Sequence, residues 1–173
     1  MTAHTEITDS AKMIVRSVIT TRDPDRAGDI VMPRGLRNRD EFLRNPVVLW
    51  AHQRNVPPIG TCLSLEIQAD RIIAETQFAA ASPLAVELFR LYASGILRGW
   101  SIGFTPVRSV PLHGGGMRVD EWNLLEYSAV PVPENPAALT MAVRKCLGDA
   151  LAPLLFERGR VSAPCVVSAN SGR

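Results

Sequence analysis

Short runs rich in β-branched and aromatic residues recur along this chain, and each is cut off by a proline, glycine or aspartate cluster. That rhythm constrains the fold more than any other feature, because it leaves little room for long helices. Residues 13–20 read as a strand. They run into Asp23-Pro24-Asp25-Arg26-Ala27-Gly28-Asp29, a stretch so dense in turn formers that it predicts a polar loop. The ligand positions and closing Glu of an EF-hand are missing there, so a calcium loop is rejected. Residues 30–32 form a short strand stopped by Pro33. Pro46 opens the apolar run Val47-Val48-Leu49-Trp50, and His52 stands just beyond it. Residues 59–68 and 71–78 flank Ala69-Asp70 and predict a hairpin. Residues 100–107 and 117–130 flank the turn His113-Gly114-Gly115-Gly116 and predict two more strands, the second long enough to carry a bulge.

Three helices are expected between these strands. Asn38-Arg39-Asp40-Glu41 resembles a capping box and predicts a short helix to Arg44. Ser82-Pro83 pairs an N-cap with a proline at the first helical position. Leu84, Val86, Leu88, Phe89, Leu91 and Tyr92 then supply an apolar face, and Gly95 ends the helix. A third helix is predicted from Ala137 to about Leu147, with Gly148 and Pro153 preventing its continuation. The fold class is therefore α+β, mainly β: a closed or strongly curved β-barrel-like core with flanking helices. The 173 residues suit one domain. Residues 1–12 are expected to be a flexible N-terminus, 13–147 the domain, and 148–173 a flexible tail of small residues.

Composition narrows the function. The formal charge is +2 with both signs interspersed, which gives no basic stripe for nucleic acid. No apolar run approaches the ~20 residues that span a bilayer, so no membrane partner is expected. Residues 1–12 are polar and lack the apolar core of a signal peptide. Cys62, Cys146 and Cys165 are too scattered for a metal site or a disulfide framework, which suits a reducing cytoplasm. His4, His52 and His113 are the only histidines, so neither a metal nor another cofactor is expected.

Three residues stand out for chemistry. Gly99-Trp100-Ser101-Ile102-Gly103 fits the G-x-S-x-G pattern. In an α/β-hydrolase that pattern joins a strand to a following helix; here a helix precedes it and a strand follows. His113-Gly114-Gly115-Gly116 looks like a lipase oxyanion motif but falls after the serine instead of before it. Ser101 alone therefore reads equally as a small residue in a strand. His52, at the end of an apolar strand, is the best candidate base, since a neutral imidazole can take a hydroxyl proton near pH 7. Glu126 lies in the apolar run Leu124-Leu125-Glu126-Tyr127-Ser128-Ala129-Val130, where a carboxylate is costly unless paired. It either orients the imidazole or faces solvent from an edge strand. Asp120 and Glu121, in the polar lead-in, are weaker choices. Arg98 either helps an oxyanion-binding segment or caps the helix end. Trp50 and Trp100 read as core or pocket wall.

Several ordered blocks carry a resemblance. They are Asp25-Arg26-Ala27-Gly28-Asp29-Ile30-Val31; Asn45-Pro46-Val47-Val48-Leu49-Trp50-Ala51-His52; Pro58-Ile59-Gly60; Gly95-Ile96-Leu97-Arg98-Gly99-Trp100-Ser101-Ile102-Gly103-Phe104; and Leu124 through Pro136. Together they resemble the prohead proteases of tailed phages, which are similar in fold and mechanism to the herpesvirus assembly proteases. The resemblance implies a serine endopeptidase with Ser101 as nucleophile and His52 as base. The third member is Glu126 or, as an alternative, Ser128; the herpesvirus enzymes use a second histidine, and His113 matches that strand position poorly. The implied substrates and partners are the major capsid protein's scaffolding region and scaffold segments, cut inside the immature capsid in the host cytoplasm. Self-cleavage in the tail, around Val161-Ser162-Ala163, and a homodimer are further implications. The alternatives are a non-enzymatic capsid-assembly or scaffold module on the same fold, and a cytoplasmic serine esterase.

Overall fold

The computed structural model describes residues 12–147 and 150–155. Its strands are β1 (Lys12–Thr21), β2 (Ile30–Val31), β3 (Val47–Trp50), β4 (Gly60–Ile67), β5 (Arg71–Phe78), β6 (Gly99–Pro111), β7 (Met117–Val130), β8 (Thr140–Leu147) and β9 (Ala150–Leu155). Two helices, α1 (Arg39–Phe42) and α2 (Pro83–Ala93), join them. All the strands belong to one sheet, in the order β2-β7-β3-β4-β5-β1-β8-β9, with β6 paired to β7.

β7 is the spine. β6 returns antiparallel along it from Gly99↔Val130 to Pro111↔Met117. Two short parallel strands share its remaining edge: β2 near the start, at Ile30↔Arg118, and β3 near the end, from Val48↔Tyr127 to Trp50↔Ala129. Asn38 fills the gap between them. Its Nδ2 donates to Leu124 O at 3.0 Å and its Oδ1 accepts from Leu124 N at 2.8 Å. The side-chain amide thus stands in for a strand's backbone, so buried polar groups of β7 stay paired.

This explains one departure from expectation. Asn38 makes no capping bond to α1, and the helix ends at Phe42. A larger correction concerns residues 137–147, predicted as a helix. Residues 140–147 are instead the strand β8, which pairs antiparallel with β1 from Arg16↔Ala142 to Lys12↔Cys146. Thr140 and Ala142 are buried while Met141 between them is exposed, the period-two alternation of a strand. The residue types tolerate a helix, but the open edge of β1 offers a ladder, and tertiary context outweighs propensity. β9 pairs with β8 beyond the boundary expected at 147. The expected flexible N-terminus and the residues around Val161 lie outside the described residues, apart from Lys12.

Of the expected closed or strongly curved barrel-like core, closure is corrected: the strand path is open. The starts of β6 and β8 touch through one bridge, Gly99↔Leu139, flanked by Trp100 N→Ala138 O and Thr140 N→Arg98 O. Beyond that point β8 follows β1, so among the described residues β6 has no ladder partner on its other edge. Pro106 and Pro111 sit in β6, and prolines, lacking an N–H, are tolerated where a strand has such an edge.

The core gathers on one side of β6 and β7. Trp100, Trp122, Tyr92, Tyr127 and Phe78 are its largest buried side chains. Ser82 caps α2 by accepting from Ala85 N, and the helix buries Ala85, Leu88, Phe89 and Tyr92. Tyr92 stacks on Trp100 at 4.9 Å between centroids. Each polar tip in this cluster is satisfied: Tyr92 Oη donates to Gly99 O, Trp100 Nε1 to Thr140 Oγ1, and Tyr127 Oη pairs with Thr76 Oγ1. Trp100 is therefore a core residue that pins β6 from beneath, one position before Ser101.

Candidate active site

The sheet register brings the predicted residues together. Ser101 on β6 is directly opposite Ser128 on β7, and Gly103 is opposite Glu126. On the other edge of β7, Leu49 is opposite Ser128 and Trp50 opposite Ala129. Directly opposed residues share a face, and so do residues two apart along a strand. Ser101, Gly103, Glu126 and Ser128 therefore lie on one face, and β3 delivers His52 to it.

The delivery depends on an unusual turn. Ala51 and His52 both have positive φ, 48° and 60°, a region that non-glycine residues enter at some cost. Ala51 N donates to Ala129 O, and the chain then turns so that His52 N donates to Ser128 Oγ at 3.0 Å. Histidine is among the non-glycine residues that enter this region more readily, but the Ala51-His52 pair carries no turn signature and the turn is not expected from the sequence.

A continuous set of hydrogen bonds results. His52 Nδ1 meets Glu126 Oε1 at 2.8 Å, and Ser128 Oγ donates to Glu126 Oε2 at 2.8 Å. Glu126 is 2% exposed, and both its oxygens are used, as a buried carboxylate requires. An ionised carboxylate only accepts, so it takes a proton donated by Nδ1, and in the neutral ring with that tautomer Nε2 holds the lone pair. The imidazole side chain is 41% exposed, so a reactant can approach it. These bonds stop short of Ser101, whose hydroxyl makes none to the imidazole. Such contacts are often long in an empty site and tighten when substrate binds.

Both glycines of the G-x-S-x-G pattern have packing reasons. A Cβ on Gly99 would lie 2.6 Å from Val130 O and 2.9 Å from Pro133 Cδ. A Cβ on Gly103 would collide with Glu126 Oε1 and lie 2.8 Å from its Cδ. The serine stands within a continuous strand, not at the strand-to-helix elbow of an α/β-hydrolase.

The other candidates lie elsewhere. His113 is exposed at the tip of the β6–β7 hairpin, about 40 Å from Ser101 along the chain at ~3.3 Å per residue. Asp120 pairs with Arg118, and Glu121 with Arg37 and Arg108, on the outer part of that ribbon. Arg98 is exposed in the link before β6, and its carbonyl accepts from Thr140. The amide of Trp100 is bonded to Ala138 O and so is unavailable to an oxyanion. Cys62 is buried and its thiol is pushed up by that burial, which disfavours the reactive thiolate. Among the described residues no three His, Cys, Asp or Glu side chains gather as a metal site would need. The Asp25 loop is structural: Asp25 Oδ1 accepts from Ala27 N and Asp29 N, and Asp29 Oδ1 from Met117 N.

A serine opposite Ser128 on the neighbouring strand and an imidazole backed by a buried carboxylate are the kinds of group used in acyl transfer by serine hydrolases. The family match fits that set. Residues 12–149 match the model of the caudovirus prohead serine proteases, and the chain belongs to that family. It is also 28% identical over 143 residues to a capsid polyprotein of Pseudomonas phage PAJU2, an alignment covering 79% of this chain and 21% of the relative. The chain thus spans about a fifth of that relative's length. No solved structure matches it.

Proposed function

We propose that this chain is a serine endopeptidase that cuts scaffold segments and the scaffolding region of the coat protein inside the immature capsid, in the host cytoplasm. Ser101 is the nucleophile, His52 its base and Glu126 the carboxylate that orients the imidazole. The observation that carries this reading is the buried Glu126 carboxylate on Nδ1 of a half-exposed His52, beside the strand that holds Ser101. Burying a carboxylate there costs stability unless it is paired, and its partner is the ring that the chemistry needs. Family membership supplies the peptidase class and the setting of the prohead. The substrates, the trimming of the chain's own tail and the likeness of fold to the herpesvirus assembly proteases belong to the proposal.

In this mechanism Nε2 takes the Ser101 proton as Oγ attacks the scissile carbonyl, and later returns it to the leaving amine. Glu126 holds the tautomer and stabilises the imidazolium that forms. Ser101→Ala is expected to abolish both labelling by a fluorophosphonate probe and cleavage of coat protein in coexpressed proheads, with an unchanged circular dichroism spectrum. Cleavage that persists in that variant would overturn the assignment. Rapid hydrolysis of small esters with no peptide cleavage would point to an esterase. Absence of labelling in assembled proheads would point to an assembly module.

A further inference from the structure

Gly103 is the second glycine of the G-x-S-x-G pattern, and its contacts are with Glu126 rather than with Ser101. The two residues face each other across β6 and β7. A Cβ at 103 would fall on Oε1, the oxygen bonded to His52 Nδ1, and would also press on Cδ and Cγ. The other oxygen, Oε2, is held by Ser128 Oγ, whose lone pair also accepts from His52 N. The carboxylate is therefore fixed from three directions: by the missing side chain at 103, by the hydroxyl at 128 and by the imidazole.

We propose that Gly103 and Ser128 are positioning residues for the acid–base pair. Gly103 keeps open the space that Glu126 must fill to reach His52, and Ser128 locks both the carboxylate and the left-handed backbone of His52. This rests on the reading of Ser101, His52 and Glu126 as the reacting set. It reassigns the second glycine of the pattern from the nucleophile to the acid. The same contacts predict that the fold survives a methyl group at 103. The colliding atoms are the end of a flexible side chain, which can swing aside, so the loss falls on the His52 bond and not on the core.

The test is the rate at which the purified chain's Ser101 is labelled by a fluorophosphonate, resolved into a limiting rate and a half-saturating concentration. Glu126→Ala is expected to lower the limiting rate by about 100-fold or more, as losing the acid of such a set does. Gly103→Ala should lower it comparably, with the half-saturating concentration unchanged and the low-field His52 Nδ1 proton resonance lost. The double variant should be no slower than Glu126→Ala alone, since both changes remove one interaction. Ser128→Ala should cost about 10-fold, the worth of one hydrogen bond to a charged group. It keeps the question answerable if Gly103→Ala does not fold. A Gly103→Ala or Ser128→Ala protein that labels at the parental rate while Glu126→Ala is slow would overturn the inference and leave the reacting set standing. So would multiplicative losses in the double variant. Labelling unaffected by Glu126→Ala would remove the reading beneath both.

Discussion

Glu126 on β7 and Asn38 beside that strand are polar side chains, buried and half-buried, and every polar atom of each takes part in a hydrogen bond. Glu126 spends its oxygens on His52 and Ser128. Asn38 spends its amide on both backbone groups of Leu124, a residue 1% exposed. The two cases differ in what removal would do. Loss of Glu126 strips chemistry from the site, whereas loss of Asn38 strands a buried N–H and a buried C=O on β7. Asn38→Ala is expected to lower the unfolding free energy by about 2 kcal/mol, the cost of unsatisfied buried groups, as read from a urea titration. A change near zero would mean that water replaces the amide at Leu124. Asn38 stands in a stretch that looks like a capping box, so its residue type was legible as a hydrogen-bonding signal. Its partner was not, because Leu124 is remote in sequence and adjacent only once β7 is in place.

At the scale of elements, the strands with strong local signals form where they are expected. Val47–Trp50, Arg71–Phe78 and Met117–Val130 combine β-branched and aromatic residues with bounding turns. Pro83–Ala93 has its cap and its proline. β8 has no such local signal, and its conformation is decided by β1. Thr140 is the hinge of that decision: its Oγ1 accepts from the buried Trp100 Nε1 at 2.9 Å and donates to Arg98 O. Thr140→Val should leave the indole N–H unpaired in the core and cost about 1–3 kcal/mol of stability, measured by the same titration. An unchanged midpoint would show that β8 is held by its ladder with β1 alone. The family-resembling blocks divide along the same line. Asp25 through Val31 and Asn135 serve connection, since Asn135 Nδ2 donates to Thr21 O and Thr21 Oγ1. The blocks around His52, Ser101 and Glu126 hold the residues of the proposed site.

For the whole molecule, the open sheet places the site at its most supported strand. β7 is paired on both edges and buried through Glu126–Val130, so the groups it holds inherit its rigidity. Amide hydrogen exchange should be slowest at residues 127–130 and much faster in the outer half of β6, where Thr105, Pro106, Val107 and Arg108 are exposed. Equal protection along β6 would contradict the edge without a ladder partner described above. The order of the strands was not legible from local patterning. Parallel pairings such as β3 with β7 join segments far apart in the chain, and nothing local encodes them. The expected closure failed for a related reason: it depends on how far β8 follows β6 before turning along β1.

The residues by themselves determined the mainly β character and the capped helix, and they singled out Ser101, His52 and Glu126 as the candidates for chemistry. Those follow from side-chain type, short-range periodicity and ordered blocks, all of which are local properties. Only the tertiary structure decided that 140–147 would be a strand, that the sheet would stay open, and that Ser128 and Gly103 would flank Glu126. Each of those rests on a register between strands. A register is settled by which buried faces and unpaired backbone edges meet, and the spacing of letters along the chain does not carry it.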